Sequence, residues 1–156
     1  MDMFSNEIVL SMLQYFDLNL YKKISMEELS SVFHYHKDYL MRIFKREIHC
    51  TIIDYLNQKR IYYSLDSLKY HDSVLNIALK YGFYSQEYYC EMFHKYLGVS
   101  PSTYRKFLNF DRNLSDSLIF NIQRHYFELV KFFKSVENYQ LNTPPKKNVL
   151  HYSIFS

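Results

Sequence analysis

Apolar residues recur at helical spacing along most of the chain. Four of them in the segment 6–22 follow one another at steps of four: Ile8, Met12, Phe16 and Leu20. This spacing places them on one side of a helix. Alternation of apolar and polar residues, the pattern typical of strands, is nearly absent. The pattern therefore predicts an all-α protein.

Start and stop signals divide the middle of the chain into further helices. Ser25, followed three residues later by Glu28, forms a capping box and predicts the start of a short helix. A second short helix is expected over about 37–47. The segment 51–69 then predicts one long linker helix. Its apolar residues, near one side, are Ile52, Leu56, Ile61, Leu65 and Leu68.

A unit of short helix, turn and helix occurs twice, and the long helix 51–69 joins the two copies. Leu29 and Tyr35 of the first copy correspond to Ile77 and Phe83 at an offset of 48. The next helix corresponds at an offset of 49, with Tyr39, Leu40, Phe44 and Arg46 matching Tyr88, Tyr89, Phe93 and Lys95. One residue is therefore added in the turn of the second copy.

The chain's only two glycines, Gly82 and Gly98, stand where helices of the second copy end. A left-handed backbone conformation is common at such places and suits glycine. In the first copy the same places are held by His34 and His49. Histidine adopts the left-handed conformation at some cost, so the first turn is expected to be more strained or differently shaped.

The second helix of each copy has an apolar side and a side left free for a partner. The free side holds Lys37, Asp38, Met41, Arg42 and Lys45 in the first copy, and Gln86, Glu87, Cys90, Glu91 and His94 in the second. A supported helix with an exposed N-terminal half fits the major groove of DNA, where each base pair presents a distinct pattern of donors and acceptors.

The segment "IALKYGFYSQEYYCEMFHKYLGVSPSTYR", residues 77–105, is similar to the signature of the AraC/XylS family of bacterial transcription activators. The segments "DYLMRIFKRE" and "IDYLNQKRI" resemble the family's first recognition helix and the start of its linker helix. The resemblance covers about residues 8–106. It implies two helix-turn-helix units on one linker helix, which address successive major-groove segments of double-stranded promoter DNA about 34 Å apart.

The resemblance also implies roles for individual residues. The base-reading positions are Asp38, Met41, Arg42, Gln86, Glu87, Cys90 and Glu91. The phosphate contacts are Lys37, Lys45, Arg46, Lys95, Arg105 and Lys106. Arg42 is the strongest candidate, because its guanidinium can bind O6 and N7 of guanine together. Glu87 and Glu91 would face phosphates, so the first copy is expected to dominate binding.

Composition and charge limit the partners and the location that can be expected for the protein. The net charge is +3, and residues 25–106 hold 11 Lys and Arg against 9 Asp and Glu, so a polyanionic partner is permitted but affinity for DNA in general should be modest. The 17 Tyr and 13 Phe fit a core better than base-stacking platforms. The apolar runs are too short to span a bilayer, and a cytoplasmic bacterial protein is expected.

No chemistry of another kind is indicated. The chain has no Gly-rich phosphate loop, nucleophile elbow or pair of catalytic carboxylates, so no enzyme activity and no cofactor are expected. Cys90 and His94 are spaced as two metal ligands on a helix would be, but no second pair completes a site. No metal is therefore expected.

Residues 107–156 form an extension beyond the domain 1–106. A helix is predicted over about 115–139, before Thr143 and two prolines. Its heptad seam consists of Ile119, Ile122, Tyr126, Leu129, Phe133 and Val136. This helix either folds back on the preceding domain or serves dimerisation or partner binding. An extension of 50 residues is too short for an effector domain, so no inducer is expected, and the tail "NVLHYSIFS" fits either a strand or a loose segment.

The pattern and the resemblance together predict a sequence-specific transcription regulator. The resemblance alone implies an activator that recruits RNA polymerase rather than a repressor. Two other functions stay open. One is a structural or adaptor protein built around the helix 115–139. The other is an antagonist that binds a second regulator through that helix and holds DNA weakly or not at all.

Overall fold

A computed structural model describes residues 5–143 of the chain. Within that range the protein has eight α-helices and one 3-10 helix, and no strand. The α-helices are α1 Ser5–Leu18, α2 Met26–Phe33, α3 Lys37–Ile48, α4 Ile52–Ser64, α5 Val74–Lys80, α6 Gln86–Leu97, α7 Pro101–Leu108 and α8 Asp116–Asn142. The 3-10 helix, Leu65–Lys69, follows α4 directly. The all-α prediction is confirmed, while the tail 148–156 lies outside the described residues.

The chain divides into two units, and α4 and α8 each contribute residues to both. The described part of unit 1 consists of residues 5–56 and 134–143, and unit 2 consists of residues 57–133. Unit 1 contains the helix pair α2 and α3, and unit 2 contains the pair α5 and α6. Each unit therefore holds one of the two predicted helix-turn-helix motifs.

Unit 1 is built around three aromatic side chains that meet in its core. Phe16 of α1 contacts Phe44 of α3, with ring centroids 5.7 Å apart, and both rings contact Tyr55 of α4. Phe16 and Phe44 are fully buried, and Tyr55 is 1% exposed. Buried aromatic side chains bring a large hydrophobic contribution, so this cluster fixes the inner side of α3.

Unit 2 repeats this design with different side chains. Tyr89 and Phe93 of α6 are fully buried, and Phe93 contacts Tyr104 of α7 with ring centroids 5.5 Å apart. Ile122 and Leu129 of α8 belong to the same cluster. The extension therefore folds back through its predicted seam and packs within unit 2. This is the first of the two alternatives, that the helix packs on the preceding domain. Val136, further along the seam, is buried in unit 1.

The predicted caps explain where several helices begin. The Ser25 hydroxyl accepts a hydrogen bond from the Glu28 amide at 3.0 Å, and the Glu28 carboxylate itself accepts one from the Tyr15 hydroxyl. Ser85 caps α6 in the same way through the Tyr88 amide. Such bonds satisfy amides that have no partner within the helix.

The predicted linker helix is shorter than expected. The pattern indicated one helix over 51–69, but the α-helical geometry ends at Ser64. The Ser64 hydroxyl donates to the carbonyl of Ile61 at 2.7 Å and lies 2.8 Å from the Tyr89 hydroxyl. A serine side chain that bonds to the preceding turn competes with the helical ladder. The remaining residues of the segment form the tighter 3-10 helix.

Candidate nucleic-acid interface

The two turns that position α3 and α6 are built as the repeat predicts. His34 and His49 have φ angles of 60° and 71°, and Gly82 and Gly98 have φ angles of 93° and 75°. All four therefore lie in the left-handed region. Two residues separate His34 from α3, and three separate Gly82 from α6. The added residue is thus in the second turn.

His36 has a role that the sequence analysis missed. It stands immediately before α3, and its Nδ1 accepts a hydrogen bond from the Asp38 amide at 3.2 Å. It is therefore the N-cap of α3, a place more often held by Ser, Thr, Asp or Asn. The one sequence signal for this role is that Ser85, which caps α6, holds the matching position in the second copy.

The α3 face, defined as Asp38, Met41, Arg42 and Lys45, is exposed along its whole length. The opposite side of α3 is buried through Leu40, Ile43, Phe44 and Ile48. Core packing therefore fixes the orientation of the helix without using any residue of the α3 face. The structure brings these four predicted residues together on one free surface.

Two cations of the α3 face are differently placed. The Arg42 guanidinium lies over the Tyr39 ring, 5.4 Å from its centroid. This contact with the ring leaves its donors available, because a cation over an aromatic face is held without hydrogen bonds. Lys45 is exposed and has no ion-pair partner among residues 5–143.

Neighbouring side chains engage Lys37 and Arg46. Lys37 Nζ lies 3.6 Å from Glu27 Oε1. The pKa of Glu27 is lowered first by a backbone hydrogen bond and then by Lys37. Arg46 donates to the Ser5 hydroxyl at 2.8 Å, and its Nε lies 3.5 Å from Glu47 Oε1. Both cations are at the surface, and each has a partner within unit 1.

The α3 face borders an apolar groove of about 550 Å³ within unit 1. Exposed Ile53 of α4 lies on the groove together with Met41 and Arg42. The groove continues to buried parts of α2 and α4. Its other lining residues include Ile24, Met26, Leu29, Ile52 and Leu56. No local sequence pattern connects Ile53 with the α3 face, because the two helices meet only through the fold.

The α6 face, defined as Gln86, Glu87, Cys90 and Glu91, is acidic rather than basic. Gln86 and the two carboxylates are exposed, and Cys90 is half-buried. Burial, followed by the Glu87 charge, raises the pKa of the Cys90 thiol, so this side chain is neutral at pH 7. Lys95, one turn further on, lies over the Tyr96 ring. The predicted residues of α6 are together, but their charge does not favour phosphate.

Arg105 and Lys106 have different surroundings although they are adjacent. Arg105 Nε donates to the carbonyl of Leu68 at 2.9 Å, and its Nη2 donates to the carbonyl of Asp72. These bonds tie α7 to the segment between the 3-10 helix and α5. Lys106 is exposed and has no ion-pair partner within the described range.

None of the helices in the described range is both long and apolar enough to cross a membrane. Between residues 5 and 143, no three His, Cys, Asp or Glu side chains are grouped as a metal site would require.

Two curated proteins that are similar to this chain differ in their own length. An uncharacterised response regulatory protein of Staphylococcus epidermidis is 37% identical over 105 residues, which is 67% of this chain and 40% of that protein. The transcriptional activator AarP of Providencia stuartii is 32% identical over 103 residues, which is 65% of this chain and 76% of AarP. The chain thus spans about 40% of the staphylococcal relative and most of AarP.

A solved structure shares the fold. The DNA-binding domain of AdpA, which was crystallised in complex with a target DNA, matches with a TM-score of 0.59 and 21% identity. The match covers 70% of this chain and 98% of that domain.

A family model described as a helix-turn-helix domain matches residues 29–106, which is half of the chain. These residues contain both helix-turn-helix motifs and the connecting α4. The family consists of DNA-binding domains of transcription regulators and is not a family of enzymes. The matched segment, the relative AarP and the shared double-motif fold show that this chain belongs to the AraC/XylS family of helix-turn-helix proteins.

Proposed function

We propose that the chain is a sequence-specific transcription regulator that binds double-stranded promoter DNA, with α3 and α6 in two adjacent major-groove segments. One observation carries the proposal. All four residues of the α3 face are exposed, while the other side of the same helix is anchored in the core of unit 1. A recognition helix needs both properties, because it must be rigidly placed and yet free to contact base edges.

Arg42 is the proposed principal base-reading residue. Its planar guanidinium can donate two hydrogen bonds to O6 and N7 of one guanine. The Tyr39 ring beneath it restricts its freedom before DNA binds, so less entropy is lost on binding. Asp38, one turn earlier on the α3 face, is placed to accept from the N4 amino group of a neighbouring cytosine.

Met41 and Ile53 are proposed to contact thymine. Both are exposed apolar side chains, and both line the groove beside Arg42. The C5-methyl group of thymine is the apolar feature of the major groove, and apolar side chains distinguish it from cytosine. We therefore expect the first DNA box to contain a guanine next to a thymine.

The phosphate contacts are proposed to come mainly from Lys37, Lys45, Lys95 and Lys106, all of which are exposed. Arg46 and Arg105 contribute less, because each guanidinium is already bonded within its unit. The α6 face is the weaker partner, since Glu87 and Glu91 repel phosphates. Glutamate can accept from cytosine N4, so the second box is expected to contain cytosine.

The regulator is proposed to act as an activator that contacts RNA polymerase. The relative AarP is described as a transcriptional activator. Protein binding through α8 is a second candidate function, favoured by Phe120 and Phe127. They are 66% and 63% exposed and lie seven residues apart on one side of α8.

Selection of bound duplexes from a random pool tests the DNA-binding proposal. The selected site should contain two short boxes about one helical turn apart, with guanine and thymine in the first. A salt titration on that site should then give a slope that corresponds to about four phosphate contacts. If no sequence is enriched at low salt, the DNA-binding proposal is refuted. Self-association through α8 is tested separately, by light scattering of the Phe120→Ser, Phe127→Ser double variant.

A further inference from the structure

We propose that unit 2 carries a binding site for a small organic cation, in a pocket formed where α7 and α8 meet the end of α4. The pocket has a volume of about 480 Å³, within the range of about 300–1,000 Å³ that is typical of small-molecule sites. Five aromatic residues line it: Tyr62, Tyr63, Tyr104, Phe107 and Tyr126. This inference goes beyond DNA binding, and it concerns residues that neither recognition helix supplies.

The aromatic rings form walls at different angles rather than one stack. Tyr62 and Tyr126 are nearly parallel, with 23° between their planes, whereas Tyr62 and Tyr63 are inclined by 69°. Tyr104 and Phe107 are inclined by 51°. A cavity lined by several aromatic rings suits an ammonium group, because the face of an aromatic ring carries a negative electrostatic potential.

Charge at the pocket agrees with a cation. The Asp66 carboxylate lines the mouth. The pKa of Tyr104 is raised to about 12, first by burial and then by Tyr126, Asp66 and Tyr62. Burial, Tyr62 and Asp66 likewise raise the pKa of Tyr126. At neutral pH the tyrosines are uncharged, so Asp66 is the neighbour that brings negative charge near both hydroxyls and disfavours an anion.

Lys69 is the one lining residue that opposes a cation. Its Nζ lies 3.6 Å from Asp66 Oδ1, and both side chains are at the surface, at 52% and 92% exposure. An ion pair this exposed contributes little and breaks readily. We therefore expect Lys69 to move away when a cation enters, so that Asp66 is free to pair with the ligand.

Polar groups of the pocket give a ligand further contacts. Tyr104 is 4% exposed, and its hydroxyl, which makes no hydrogen bond within residues 5–143, is open to the solvent of the pocket. A hydroxyl in this situation favours a partner from a ligand or water. Gln123, exposed on α8, offers an amide at the same pocket. The ligand class is thus an aromatic or aliphatic ammonium compound with one polar group.

Nuclear magnetic resonance titration of the ¹⁵N-labelled full chain tests the site with three probes of similar shape. These are benzyltrimethylammonium, neutral benzyl alcohol and anionic benzylsulfonate, at constant ionic strength. The cation should cause saturable shifts at α7 and around Gln123, and bind about fivefold more tightly than the alcohol. Stronger binding of the sulfonate, or no saturable shift with the cation, would overturn the proposal.

Charge variants separate the pocket from general attraction of cations. Asp66→Asn should weaken benzyltrimethylammonium binding by about threefold to tenfold and leave benzyl alcohol unchanged, whereas Lys69→Gln should strengthen cation binding. Glu128→Gln is the matched control, because it removes one negative charge from the exposed side of α8. Equal weakening by Asp66→Asn and Glu128→Gln would reduce the effect to net charge and refute the site.

Discussion

Gly98 lies so close to the His125 imidazole that a Cβ at position 98 would be 2.7 Å from His125 Cε1. The same Cβ would lie 2.9 Å from the Asn121 amide nitrogen. His125 is held in place because its Nδ1 lies 2.8 Å from the carbonyl of Asn121. The C-terminal end of α6 and the first half of α8 thus lie in close contact at Gly98, a residue without a side chain.

Gly98→Ala should therefore destabilise the protein for two reasons. The left-handed φ of 75° disfavours alanine, and the new methyl group displaces His125. Together these effects should cost about 1–3 kcal/mol of unfolding free energy. Urea denaturation followed by circular dichroism measures the loss. The double variant Gly98→Ala, His125→Ala should recover only the steric part, and an unchanged midpoint in Gly98→Ala would contradict the close fit.

A substitution at His49, which follows α3 as Gly98 follows α6, should raise stability instead of lowering it. Its φ of 71° is left-handed, its side chain is exposed, and glycine adopts that conformation without strain. His49→Gly should raise the unfolding free energy by about 0.5–1 kcal/mol. His49→Ala is the control, because it removes the same side chain without relieving the backbone. Equal stability of the two variants would show that the backbone conformation is not the cause.

Substitutions of Arg42 and Glu91 compare the contributions of α3 and α6 to DNA affinity. Arg42→Ala should weaken binding to the selected DNA site by about 1–3 kcal/mol and relax preference for guanine in the first box. Glu91→Ala should change affinity less, since it removes a repulsion from phosphate as well as any base contact. Fluorescence anisotropy measures both. Lys131→Ala on α8 is the charge-matched control for Arg42→Ala, and a larger loss in Glu91→Ala would reverse the ranking.

Substitutions of the adjacent residues Arg105 and Lys106 should affect different properties. The first should lower protein stability, and the second should lower DNA affinity. Arg105→Ala removes hydrogen bonds to the carbonyls of Leu68 and Asp72, so it should lower the stability of the protein by about 1–3 kcal/mol. Lys106→Ala should leave stability unchanged and reduce the salt slope of DNA binding by about one. Thermal denaturation and salt titration of both variants check this division. A reduced salt slope in folded Arg105→Ala would mean that Arg105 also contacts phosphate.

Tyr104 should contribute to the loss of stability at alkaline pH. Burial raises its pKa from 10.0 to about 12 in the folded protein. Above pH 10 the unfolded chain releases this proton and the folded chain keeps it, so the contribution is complete below pH 10 and is lost towards pH 12. This loss is on the order of 2 kcal/mol. Tyr104→Phe should show a shallower decline of melting temperature over this range, and parallel curves would contradict the assignment.

Local signals predicted much of the fold. The Ser25 cap, the buried residues Leu40 and Phe44, and the left-handed positions Gly82 and Gly98 all follow from interactions between near neighbours in the chain. The change to a 3-10 helix after Ser64 did not, because it involves the distant Tyr89 hydroxyl. Periodicity records which side of a helix is buried, but not the particular atoms that it meets.

The candidate interface was predicted to a similar extent. Exposure of the α3 face follows from the helix pattern, so the sequence was sufficient to predict that Arg42 and Met41 are exposed, and their contacts with DNA stay a prediction. The engagement of Arg105 with Leu68 and Asp72 connects residues more than 30 positions apart, and no local pattern contains that information. For the same reason the pocket between Tyr62, Tyr104 and Tyr126 was not foreseen.

The separation of the α3 face from the core has an evolutionary consequence. Asp38, Met41 and Arg42 take no part in the packing that holds α3, so a substitution at any of them leaves folding nearly unaffected. Under the proposed function, a new target sequence can then be acquired through single codon changes, without a compensating mutation elsewhere. These positions are expected to differ between relatives that bind different target sequences, while the interior residues beneath them change slowly.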